Sequence, residues 1–303
     1  MKTAKLTLLL CFVTLLSFGS VSTKEKEALK DLYNATNGAL WRTTWNLDTP
    51  VEGWHGVVVK DDKVIELNLE FNNLRGEIPA SIGDLIYLKH INFFRNKITG
   101  AIPSTVKNLK SLVSLNVSFN MLNAPLPNEI GELKSLRKLQ LFMNSINGEI
   151  PSTIGQLSQL HTLELYNNQL SGELPSTVGD LVNLKKMMLS SNKLSGKLPS
   201  SISNAKGLKV LSVFDNKFFG MLPSSICSLA DLEELVLSDN AFYGNLPSGM
   251  ASLTNLKVLL IGNNSFKGEL AQLKQHLPNL QQFDFVNMND QGIIATLDTE
   301  DDD

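Results

Sequence analysis

The stretch LHTLELYNNQLSGELPSTVGDLVN, residues 160–183, decides the fold. Leu160, Leu163 and Leu165 place apolar groups at positions one, four and six, so a short strand aims alternate side chains at one core. Asn168, at position nine, carries a carboxamide that both donates and accepts, which suits it to the backbone groups of a buried turn. Gly172 at position thirteen marks unusual torsions or a close approach. Pro175 at position sixteen fixes φ and keeps the outer face extended. Outward in both directions the pattern LxxLxLxxNxLxGxxP recurs every 24 residues without insertion or deletion. The units start at Val64, Leu88, Leu112, Leu136, Leu160, Leu184, Leu208, Leu232, Leu256 and Leu280. Ala124 replaces the glycine of the third unit, and Pro125 beside it predicts a local irregularity. In the tenth unit Met288 stands at position nine and the proline is lost, the decay expected of a terminal cap.

A single unit of this kind cannot bury its own apolar face, so neighbours stack and share one core. Strands about 4.8 Å apart then form one parallel sheet on the inside of a curve, and the fold class is an α/β solenoid. Residues 23–63 read as an N-terminal cap. In it, residues 23–38 form an amphipathic helix with Ala28, Leu29, Leu32, Tyr33 and Ala35 on one side, closed by Gly38. Residues 56–59 and 64–69, joined by a polar turn at Asp61 and Asp62, form an antiparallel hairpin. Trp41, Trp45 and Trp54 cover the first unit's core, with sugar stacking as the alternative. Nine repeats occupy residues 64–279, and residues 280–303 hold the degenerate tenth repeat, a C-terminal cap and a solvated acidic tail.

Lys2 and Lys5 precede a short apolar run at residues 6–18, and Ser20 and Ser22 sit at the −3 and −1 positions of a cut. Residues 1–22 are therefore expected to be a signal peptide, the run being short for a membrane span. Cys11 would leave with it, so Cys227 remains as the one cysteine and internal disulfides are excluded. Without Lys2 and Lys5 the basic residues number 25 against 30 acidic ones, a charge of −5. That balance argues against a nucleic-acid partner, which needs a basic stripe.

The repeat, from Val64 to about Asn287, resembles the plant-type, 24-residue subclass of extracellular leucine-rich repeats. The segment from Trp45 to Pro79 resembles the N-terminal cap preceding such repeats. Plant receptor ectodomains carry a cysteine pair around a Trp-x-Gly-Val element. Here that element is Trp54-His55-Gly56-Val57, and Val59 stands where the second cysteine would be, which makes the chain similar to the cysteine-poor secreted versions of bacteria and protists. The resemblance implies a right-handed superhelix with its parallel sheet on the concave face, binding of proteins, peptides or glycans there, and no enzymatic activity.

Repeat positions two, three, five, seven and eight point away from the core and can be read as columns of that face. Large apolar groups concentrate there in repeats two to seven: Phe94, Phe142, Tyr166 and Phe214 at position seven, Phe119 and Met143 at position eight, Met188 at position five. Phe71 adds another in repeat one. Such a patch is uncommon on a monomer and marks an interface, the alternative being that some rings only cover the edge of the sheet or pack on one another. Arg95, with Lys89, His90, Arg137, Lys138, Lys185, Lys186 and Lys209, flanks it, while Asp215, Glu233, Glu234 and Asp239 gather toward repeats seven and eight. A partner with the opposite charge gradient would be steered into register.

A search for chemistry gives little. His90 and His161 face inward three repeats apart, about 14 Å, too far to share a metal. HExxH, GxSxG and phosphate-loop patterns are absent, and no carboxylate pair suits glycoside hydrolysis. Cys227 reads as a small core residue. Sequons at Asn34, Asn116 and Asn263 could carry glycans in a eukaryotic secretory route, although at Asn116 and Asn263 a glycan would obstruct a partner. The expectation is a secreted, monomeric recognition module for a protein or peptide, without cofactor, metal or catalysis. The alternatives are binding of carbohydrate or extracellular matrix, or inhibition of a secreted polysaccharide-degrading enzyme, which the resemblance to soluble ten-repeat inhibitors implies.

Overall fold

The structure, a computed structural model, describes residues 20–287. Most of the expected leader, with Cys11, as well as Met288 and the acidic tail, lies outside these residues. Eleven strands form one sheet, opening with an antiparallel pair, Val57–Lys60 and Lys63–Asn68. Asp61 and Asp62 turn this hairpin with φ of 51° and 58°, the pair of positive values that a two-residue turn matching strand twist requires. Each later repeat adds one three-residue parallel strand, such as Thr162–Glu164, whose Leu163 pairs with Met187 of Lys186–Met188.

Leu160, Leu163 and Leu165 are wholly buried, as are their counterparts through most of the stack, so the core is a continuous apolar column. On the outer side every proline at position sixteen opens a short 3-10 turn, for example Ser176–Asp180 after Pro175. Hydroxyls tie these turns together, as where Thr177 Oγ1 donates to the Ser152 carbonyl at 2.7 Å. The asparagines do what their position implies. Asn168 Nδ2 donates to the carbonyls of Leu141 and Leu165 at 3.0 and 2.9 Å, and its Oδ1 accepts from the Ile146 N–H at 3.0 Å. In the last repeat Asn287, one residue before Met288, takes up part of this duty by accepting from the Asn264 N–H at 3.0 Å.

A second parallel sheet, which the sequence reading does not anticipate, runs along one flank. Its strands come from positions ten to fourteen, such as Gln169–Glu173 and Lys193–Gly196. Gly172 makes it possible: its φ is 75°, and a Cβ there would lie 2.7 Å from Glu149 Cγ. Where Ala124 and Pro125 replace the glycine pattern no such strand forms. The flank sheet is broken between Lys97–Thr99 and Asn147–Gly148, which is the irregularity expected at that place.

The N-terminal cap departs from expectation in one detail. Its helix, Thr23–Ala35, ends on Thr36, with Asn37 rather than Gly38 taking the left-handed conformation at φ 55°. Gly38 is required for another reason: the Tyr33 ring lies against it, leaving no room for a side chain. Val21 is buried and Ser22 caps the helix, its Oγ accepting from the Glu25 N–H. The buried Glu25 carboxylate in turn accepts from the Val64 N–H, which pins the helix to the first repeat. Trp41, Trp45 and Trp54 are buried, pack on one another and donate their indole N–H groups to backbone carbonyls. None offers an open face to a sugar, so covering the core is their role.

Candidate recognition face

The concave sheet exposes one side chain in two, and just beyond each strand the chain turns through position eight. There φ is positive in nine consecutive repeats: Phe71, Arg95, Phe119, Met143, Asn167, Ser191, Asp215, Asp239 and Asn263, between 50° and 56°. Asn and Asp tolerate this conformation, whereas bulky residues are strained in it. Repeats five and seven to nine follow that rule. Repeats one to four break it, placing Phe, Arg, Phe and Met in the strained slot.

Three of the strained side chains, Phe71, Arg95 and Phe119, belong to one cluster. Phe71 meets Phe94 edge-on at 5.3 Å between centroids, Phe94 meets Phe119 at 5.3 Å, and Phe119 meets Phe142 at 5.6 Å. Phe142 then stacks on Tyr166 at 4.5 Å with an 8° interplanar angle. The ladder thus crosses five repeats, or about 19 Å at ~4.8 Å per rung. Phe94 and Phe142 approach each other to 6.4 Å across the third repeat, where the small, wholly buried Ser118 lies beneath them. Arg95 sits over the Phe71 ring at 5.3 Å, a cation–π contact. Burial, and then the charge of Glu164, raise the Tyr166 phenol above its ordinary range.

Of the residues expected on this face, Phe94, Arg95, Phe119, Phe142 and Tyr166 therefore come together, with Met143 exposed in the same column. Phe71, in repeat one and outside the expected span of repeats two to seven, is a full member. Phe214 is not: among the described residues it makes no ring contact, because Ser190 interrupts position seven between it and Tyr166. Met188 lies on the neighbouring column between Glu164 and Ser212.

Beside the ladder runs a polar tract at position five, Asn68, Asn92, Asn116 and Gln140. Asn92 Nδ2 donates to Asn68 Oδ1 at 3.1 Å and to Glu70 Oε2 at 2.8 Å. Gln140 donates to the buried Glu164 carboxylate, which also pairs with Lys186 at 2.8 Å. Glu66, His90 and Lys138 complete a shallow trough along this tract. The expected charge gradient is partly neutralised within the protein, since Glu233 bridges Lys209 and Lys257 at 2.7 Å each. These two ammonium groups hold the Glu233 carboxyl at a pKa of about 2. Its folded-state value is depressed, so its contribution to stability is present above the ordinary carboxylate range and is lost as pH falls toward 2. An NMR titration is expected to place the Glu233 midpoint near 2 in the wild type and back in the ordinary carboxylate range in a Lys209→Ala/Lys257→Ala variant; unchanged midpoints would refute the clamp.

Among the described residues no cluster of His, Cys, Asp and Glu is placed to hold a metal, and no helix is long and apolar enough to cross a membrane. Cys227 is half-buried, and burial raises its thiol pKa.

With this geometry in place, comparison with known proteins decides the family. The Leucine Rich Repeat family model matches residues 63–85, 87–109, 135–157, 159–181, 183–205 and 207–229. This chain is a leucine-rich-repeat protein. No curated protein matches it in sequence. Among solved structures the leucine-rich-repeat ectodomain of the Arabidopsis thaliana receptor kinase GASSHO1/SCHENGEN3, in complex with CASPARIAN STRIP INTEGRITY FACTOR 2, superposes with a TM-score of 0.83 at 30% identity. The match covers 88% of this chain and 32% of that one. The Arabidopsis receptor kinase HAESA, in complex with the peptide hormone IDA and the co-receptor SERK1, gives 0.78 at 26% identity over 88% of this chain and 46% of its own. The leucine-rich-repeat chain therefore spans less than half the length of either receptor ectodomain. A plant ice-binding protein matches over nearly its full length, with a TM-score of 0.76, 28% identity, and 88% of this chain against 87% of that one.

Proposed function

We propose that this leucine-rich-repeat protein is an exported recognition module that binds an extended peptide, or a peptide-like segment of a protein, along its concave face and catalyses nothing. The observation that carries the reading is the occupancy of the strained position-eight slots. Backbone strain at a surface persists where the side chain serves another purpose, and here Phe71, Arg95 and Phe119 build or border a single ring ladder, with Met143 exposed in the next strained slot. Rings on one side and carboxamides on the other suit a peptide, whose apolar side chains would meet the ladder while its backbone amides meet Asn92, Asn116 and Gln140. The two receptor ectodomains with similar folds hold CASPARIAN STRIP INTEGRITY FACTOR 2 and IDA, which supports this choice of ligand class. Panning of a displayed random-peptide library tests it. Enriched peptides should bind the wild type and lose binding to the Phe71→Asn/Phe119→Asn variant, and peptides that bind both equally would overturn the site.

Export rests on the leader expected in the sequence, but the cap moves its cut. Cleavage after Ser22 would remove the helix cap and the buried Val21. Cleavage after Gly19, with Ser17 at −3, keeps both. The exported chain is thus expected to start at Ser20, and N-terminal sequencing that reads Thr23 would refute this. Were the export route eukaryotic, Asn34 would be the open sequon, exposed on the cap helix. Asn116 lies in the trough with its Oδ1 accepting from the N–H of the buried Ser118.

A further inference from the structure

A second surface lies on the flank sheet, away from the concave face. In repeats seven and eight this sheet turns Phe218 and Phe242 inward, stacked 6.2 Å apart, and leaves Phe219 and Tyr243 outward, 44% and 50% exposed. Met221, two residues on, is 65% exposed. At the same positions repeats five and six carry Ser171 and Ser195 in place of the aromatic rings, so nothing in the repeat itself demands them.

Lysines surround these three residues. Lys193 opens and Lys197 follows the strand of repeat six, Lys217 stands opposite Ser195 on the next rung, and Lys267 stands opposite Asn245, two residues on from Tyr243. All four are exposed, and among the described residues none is paired with a carboxylate. This concentration of cationic and aromatic groups is local, in a chain whose net charge is −3. Carboxylates close it off at both ends, with Glu149 and Glu173 on the rungs before Lys197 and Glu269 on the rung after Asn245.

We propose that this face binds an anionic polysaccharide, one chain lying across the rungs from Lys193 to Lys267. Charge complementarity selects an anionic partner, because four ammonium groups without a carboxylate partner, Lys193 donating only to the Gln169 side chain, span three rung steps, about 14 Å, and make a strong local field. The rings select a sugar polymer, whose flat pyranose faces stack on Phe219 and Tyr243 while its carboxylates reach the lysines on either side. The bordering glutamates disfavour a broad anionic surface such as a membrane and confine the contact to the short stretch of a polymer chain that lies between them.

The test uses the whole exported chain, with alginate and polygalacturonate as acidic polymers, dextran as a neutral one, and vesicles containing phosphatidylserine. Two variants borrow residues that the protein itself carries at equivalent positions: Phe219→Ser/Tyr243→Ser, after Ser171 and Ser195, and Lys197→Glu/Lys217→Gln, after Glu173 and Gln169. Retention by an acidic polymer is expected, relieved by salt, at least tenfold weaker in each variant and absent with dextran. The Phe71→Asn/Phe119→Asn variant should keep wild-type retention, which separates this surface from the concave one. Equal retention of wild type and both variants, equal binding of dextran, binding to vesicles alone, or no binding to either acidic polymer would each overturn the proposal.

Discussion

Asn168→Ala is expected to lower stability by about 3 kcal/mol, the sum of an orphaned buried N–H and the cavity left by the side chain. The group orphaned is the Ile146 N–H, whose partner is Asn168 Oδ1. The carbonyls of Leu141 and Leu165 suffer less, because each also accepts from a neighbouring asparagine, Asn144 and Asn192 respectively. For a chain of this size 3 kcal/mol corresponds to a drop of about 8 °C in melting temperature. The equivalent change at the end of the stack, Asn287→Ala, removes one bond at an exposed residue and is expected to cost about 1 kcal/mol. Calorimetry of the two variants distinguishes a buried polar spine from a merely repetitive sequence. Equal shifts, or a change below about 0.5 kcal/mol for Asn168→Ala, would contradict the account.

The second large effect is on binding. Phe71→Asn/Phe119→Asn removes three edge-on ring contacts, each worth about 0.5–1.5 kcal/mol. It also relieves two bulky residues of a left-handed conformation that costs them about 1–2 kcal/mol each. Relief of strain offsets part of the loss in contacts, to which the Arg95 contact and the covered ring area also belong, so the variant should stay folded with a lowered melting temperature. Affinity for a selected peptide should fall at least 100-fold, since central aromatic anchors carry about 2–4 kcal/mol each. A variant that unfolds would show that the ladder supports the fold, and one that binds as well as the wild type would show that the ladder is idle.

The spine, the concave sheet and the N-terminal cap are legible because each follows from a period of 24 residues and a few side chains with single uses. The flank sheet is less so. Its strands are short and its glycines are required by φ and close packing, which a pattern of letters records only as Gly at position thirteen. The gap in repeat three is visible as Ala124 and Pro125, since both break that requirement. For the recognition face, the columns can be read from the period, but membership of the cluster cannot. Phe71 joins and Phe214 stands apart because ring contacts depend on reach across a rung, and Ser190 breaks the line. One signal was available: Asn167, Asp215, Asp239 and Asn263 at position eight announce a left-handed slot, against which Phe71, Phe119 and Met143 are anomalies.

The asparagine spine has a direction. Asn168 completes the turn of the repeat before it, through Ile146 and Leu141, while its own repeat is completed by Asn192, through Leu170 and Leu165. A chain made from its N-terminus therefore always carries one unfinished turn at its growing end, closed when the next repeat emerges from the ribosome or the export channel. Assembly advances like a zipper with its slider at the C-terminal side, and a truncation from that end exposes a fresh set of unmet polar groups wherever it falls. At the last described rung the same duty passes to Asn287, which accepts from Asn264 one position out of register with the other asparagines.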